Sequence, residues 1–254
     1  MRTLSILLLL LTPAMALAGP LVDAIESGDG SYYFSFETRE GVWGNGKSLS
    51  IDLESDGEHY RFDDPYRYRM TEGPGRVWLR LKDGRVRDIK VEVGGPDPSL
   101  RSSTTDLGPI EPTEVQSAML SIAENGRGND LEGAIVCAMI TEGFDQWERL
   151  LSIARDEDRP DDLRESAIFW LGQAASAVAT NGLEEIVEDD DVELELREHA
   201  IFSLSQQGID RAFPALSKVA LNSRHPQLRE QAFFWLAQHD DPRVIDLLEQ
   251  VLLD

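Results

Sequence analysis

The chain has 254 residues, a formal net charge of −23 and a single cysteine, Cys137. Such acidity disfavours nucleic acid and anionic membrane surfaces as partners, and a lone thiol excludes an internal disulfide. The charge is unevenly placed: Gly19 to Ile110 holds 12 basic and 17 acidic residues, whereas Glu111 to Asp254 holds 11 and 30, which points to two units with different surfaces.

Residues 1–18 combine a basic start at Arg2, the apolar run Leu4 to Leu11, and small residues at Ala14, Ala16 and Ala18. This pattern predicts a secretory signal peptide cleaved before Gly19. A membrane anchor is the alternative reading, but Pro13 interrupts the run well short of the about 20 apolar residues that a spanning helix needs. The expectation is therefore export to the periplasm or beyond, with no stable membrane insertion afterwards. What remains is long enough for two modest cores.

Within a β unit at 19–95, the pattern from Ser31 to Val93 has period two. Tyr32, Phe34 and Phe36 alternate with polar residues, as do Leu49, Ile51 and Leu53, and turn formers separate the runs, so half-buried antiparallel strands are predicted. Asp83 and Gly84 suit a type I′ turn between Val77 and Val93. A two-residue turn pairs Leu81 with Val86 but would pair Leu79 with Asp88. One extra residue near Arg87 and Asp88 restores Leu79 to Ile89 and Val77 to Val91, and a β-bulge is predicted there. Residues 96–112, rich in Pro, Ser and Thr, read as a linker or a loop over the junction.

Beyond Thr113 the period becomes helical and a repeat emerges. Leu163, Arg164, Glu165, Ala167, Phe169, Leu171 and Gln173 recur as Leu196, Arg197, Glu198, Ala200, Phe202, Leu204 and Gln206. They recur again as Leu228, Arg229, Glu230, Ala232, Phe234, Leu236 and Gln238, at offsets of 33 and 32 residues. Second amphipathic segments lie between the copies, at 147–154, 183–187, 213–221 and 244–253, and a weaker copy occupies 134–140 behind a helix at 113–124. Single pairs of this kind cannot bury their apolar faces, whereas stacked pairs share one core. Leu163, Ala167, Trp170 and Ala174 fall on one helical stripe, which predicts that Trp170 and its counterpart Trp235 are core residues. Cys137, inside the apolar run Ala134 to Ile140, is expected to be buried.

These copies resemble HEAT repeats in the Leu, Arg and Ala that open each second helix, and in Pro214, Pro226 and Pro242. The resemblance covers 113–254 and implies an α-solenoid of about four helical hairpins with a scaffolding, protein-binding role and no catalytic set. It departs from the family four residues before each Arg, where Pro160, Glu193 and His225 stand, so a regular Asp-to-Arg ladder between repeats is not expected. Gly41 to Gly46, the Asp83–Gly84 hairpin, Thr105 to Gly108 and residues 167–173 make the whole similar to exported bacterial HEAT-repeat proteins with a small N-terminal β unit. The fold class expected is thus α+β.

The chemistry-bearing residues do not converge in the sequence. His59, His199, His225 and His239 lack metal-ligand spacing, and neither a phosphate loop nor a nucleophile elbow is recognisable. No catalytic residue, metal site or cofactor is expected. The acidic runs Asp156 to Asp162 and Glu184 to Glu195 read as solvated turns, with weak cation binding as the alternative. On each second helix Glu165, Phe169 and Gln173, with Glu198, Phe202 and Gln206 and with Glu230, Phe234 and Gln238, lie away from the core stripe. Stacked, they make three rows that would hold a protein or peptide carrying a basic segment. The alternatives are that each Phe packs on the neighbouring second helix and that each Gln satisfies carbonyls of its last turn. Three functions follow: an interaction scaffold, an envelope-complex or ligand-sensing subunit that uses the β unit, and a HEAT-like lyase. The scaffold is the leading one.

Overall fold

The computed structural model of the chain describes residues 19–51, 70–174 and 176–253. The segment read as a signal peptide, Leu53 and His59 lie outside these residues.

A short helix, α1 (Pro20–Ser27), comes first, with Pro at its start and Gly28 at φ 73° closing it. Strands β1 (Gly30–Phe36), β2 (Val42–Gly44), β3 (Leu49–Ile51), β4 (Thr71–Glu72), β5 (Gly75–Lys82), β6 (Arg85–Val93) and β7 (Thr105–Pro109) follow. They form a four-stranded sheet, β6-β5-β1-β7, and a three-stranded one, β3-β2-β4. The β5–β6 hairpin turns at Asp83 (φ 54°) and Gly84 (φ 66°), as a type I′ turn requires. Leu81 pairs with Val86, Arg80 with Asp88, Leu79 with Ile89 and Val77 with Val91. Arg87 is the extra residue, so the bulge sits where apolar pairing demands it.

Two features differ from expectation. The region 96–112 is not merely a linker, because β7 pairs in parallel with β1 and makes the sheet mixed rather than antiparallel. Its exposed TDLGP sequence carries little apolar signal, and backbone pairing holds it. Nor are there two cores: one continuous buried cluster runs from Leu21 through the sheet to Leu247. The amide of Leu21 donates to Glu114 Oε1 (2.9 Å), that of Arg39 to the carbonyl of Ile140 (2.9 Å), and that of Val86 to Arg127 (2.8 Å). These bonds weld the β unit to the first helices.

Nine helices complete the described chain: α2 (Pro112–Asn125), α3 (Leu131–Met139), α4 (Trp147–Arg155), α5 (Asp161–Gly172), α6 (Ala177–Glu188), α7 (Leu194–Ser205), α8 (Ile209–Asn222), α9 (Pro226–Leu236) and α10 (Pro242–Leu253). Consecutive helices pack as hairpins, α2 with α3, α4 with α5, α6 with α7 and α8 with α9. Across hairpins α2, α4, α6 and α8 touch in one row, and α3, α5, α7 and α9 in another. Repetition of the sequence is thus repetition of burial: Leu163, Ala167, Ile168 and Leu171 are buried on α5, as are Leu196, Ala200, Ile201 and Leu204 on α7. Cys137 is fully buried, and desolvation pushes its thiol far up from the ordinary range, away from the reactive thiolate. Trp170 is 5 % exposed. Trp235 is only half-buried, because among the described residues no second helix lies beyond α9.

Arginine side chains tie the hairpins together. Arg164, 1 % exposed, donates Nε–H to the carbonyl of Ala154 (3.2 Å) and Nη1–H to Glu193 Oε2 of the next hairpin (3.1 Å). Arg197 repeats this with Val187 (2.9 Å), Asp190 (3.1 Å) and His225 of the following hairpin (3.3 Å). Successive hairpins are thus linked through arginine, but to Glu193 and His225, not through a regular Asp-to-Arg ladder. The acidic runs are turns only in part: Glu184 to Glu188 end α6, Asp161 and Asp162 open α5, and between the helices the Asp156 and Asp189 carboxylates each accept the amide two residues on, both at 3.0 Å. No helix among the described residues is long and apolar enough to cross a membrane.

Candidate functional site

The second-helix row carries a cleft of about 390 Å³. Helix α3 contributes Glu132, and α5 contributes Asp162, Glu165, Ser166 and Phe169. These α5 positions follow a spacing of three and four residues, one face of a helix. Helix α7 closes the cleft with His199, Phe202 and Ser203. The helices approach closely here because Gly172 has no side chain: a Cβ on it would lie 2.7 Å from Ser203 Cβ and 2.8 Å from the Ser203 carbonyl oxygen.

Of the nine residues singled out in the sequence, the cleft gathers Glu165, Phe169 and Phe202. Phe169 is 39 % exposed and meets Trp170 edge-on, with centroids 5.4 Å apart. Phe202 is half-buried and packs on Trp235 of the next second helix at 5.0 Å, so it is part wall and part inter-helix contact. Phe234, 55 % exposed, also touches Trp235 but lies outside the cleft. Glu198, Glu230 and the three glutamines do not line it. Gln238 donates to the Phe234 carbonyl (3.4 Å) and so serves its helix end, whereas Gln206 donates to the Ser205 hydroxyl, Oγ (3.2 Å). Gln207, which the repeat did not flag, is buried; it donates to the Leu171 carbonyl (3.5 Å) and accepts from Thr180 (2.7 Å).

The cleft is acidic. No lysine or arginine is among its lining side chains in the described residues. Desolvation, a hydrogen bond shared with Asp162, and the charges of Asp162, Asp130 and Glu165 push the Glu132 carboxyl up from its ordinary 4.5, although its side chain still reaches solvent. Glu165 Oε2 lies 3.6 Å from His199 Nδ1, a contact that becomes an ion pair when the imidazole is protonated. No group of three or more His, Cys, Asp or Glu among the described residues has a metal-binding arrangement.

Comparison with known family profiles and with curated proteins finds no match to this chain.

Proposed function

We propose that the chain is a non-enzymatic, exported interaction module: an α-solenoid of about four HEAT-like hairpins over 113–254 that holds a protein or peptide partner on its second-helix face. The β unit caps the open end of the first hairpin through the backbone bonds at Leu21, Arg39 and Val86. The observation that carries this reading is the cleft itself. It brings the exposed Phe169 ring together with carboxylates of two helices, and such anchors supply binding energy while charge supplies orientation and encounter rate.

A photo-crosslinking residue placed in turn at Phe169, Phe234 and Leu221 tests it in the native cell. Leu221 is an equally bare apolar residue, 45 % exposed, but belongs to α8 in the first-helix row. One defined protein is expected to be trapped from Phe169 and Phe234 and not from Leu221. Trapping from Leu221 alone, or from none of the three, overturns the reading.

A further inference from the structure

We propose that the cleft between α3, α5 and α7 receives one cationic side chain, a lysine or arginine in an extended segment of the partner protein, seated on the exposed Phe169 ring and met by Glu132, Asp162 and Glu165. This rests on the second-helix face being the docking surface and names what docks there.

Two carboxylates from neighbouring helices meet here without a cation between them among the described residues. Several other carboxylates along the array are matched by a cation: Glu124 by Arg149, Glu185 by Arg155, Glu193 by Arg164, Asp190 by Arg197, Asp210 by Arg243 and Glu188 by Lys218. At the cleft, Glu132 of α3 faces Asp162 of α5, and among the described residues neither forms an ion pair with a cationic side chain. Each carboxylate opposes ionisation of the other, and a proton shared between them relieves that repulsion. An incoming ammonium or guanidinium does the same work without that proton. Phe169 adds the second half of a cation site, because an aromatic face attracts a cation while its ring covers the aliphatic stem. About 390 Å³ takes a lysine side chain with room for the backbone beside it, and the lining hydroxyls of Ser166 and Ser203 offer further acceptors.

Entry of the cation is coupled to release of a proton. The free cleft holds the proton on Glu132 up to a higher pH than usual, whereas a bound cation favours the carboxylate. Affinity is therefore present above the raised Glu132 value and is lost as pH falls through it. The other titratable groups that face the site are Asp130, Asp162, Glu165 and His199.

The test is an amide-shift titration of the intact protein with Nα-acetyl-lysine methylamide and with its norleucine analogue, which has the stem without the charge. The lysine derivative is expected to shift the Phe169, His199 and Ser203 amides, and the norleucine derivative is not. Glu132→Gln, at a solvent-reaching position that keeps the fold, should weaken lysine binding about fivefold and flatten its pH dependence. Glu165→Gln should weaken binding and move the pH dependence to lower pH without removing it. Equal response to both derivatives, shifts located elsewhere, no shifts at all, or an unchanged pH profile in Glu132→Gln would overturn the proposal. If the lysine derivative fails while crosslinking from Phe169 persists, the occupant is wrong and the face is right. If both fail, the face is wrong too.

Discussion

Replacing Trp170 by alanine is expected to lower stability by about 3–5 kcal/mol, measured by reversible denaturant unfolding at constant slope. The indole is 5 % exposed, on a helix flanked in its row by both α3 and α7. Truncation therefore removes a large apolar surface and leaves a void that the stacked helices cannot close. The sequence assigns Trp235 the same role, yet it lies on α9, which among the described residues has a row neighbour on one side only. Trp235→Ala should cost about half as much, because solvent already reaches the ring. A loss below about 1 kcal/mol for Trp170 would place the core stripe on the wrong face.

Arg164→Ala should cost about 2–4 kcal/mol, through two separable losses. The buried aliphatic stem fills space between α4 and α5, and Nε–H satisfies the Ala154 carbonyl at the end of α4. Arg164→Met restores the stem without the hydrogen bonds and should recover roughly half of the loss. Glu193→Gln should cost less than about 1 kcal/mol, since its side chain is 55 % exposed. Equal losses for Met and Ala at 164 would mean that polar pairing alone holds this position.

The elements that are legible in the sequence are those whose periodicity coincides with burial. The type I′ turn follows from Asp83 and Gly84, and the bulge follows from insisting that Leu79 and Val77 find apolar partners. The helices follow because each repeat buries the same Leu and Ala positions. β7 is missed because backbone pairing, not apolar side chains, places it. α1 is missed because eight residues give too short a pattern, although Pro20 and Gly28 mark its ends. Recurring positions reveal the Glu165, Phe169 and Phe202 faces but conceal Glu132, Asp162 and His199. Those three are particular to one junction: Ser166 stands where His199 does, and Gln231 follows. Aligning repeats averages away what makes a single interface distinct, and only packing of α3 on α5 sets Glu132 beside Asp162.

The most direct measurement pairs the melting temperature of Phe169→Ala with its crosslinking yield from Phe234. The ring is 39 % exposed, so truncation should leave the melting temperature nearly unchanged while the partner adduct is lost. A full adduct yield with an intact fold would show that the second-helix cleft is not where the partner docks, and a collapse of the melting temperature would show that Phe169 belongs to the core.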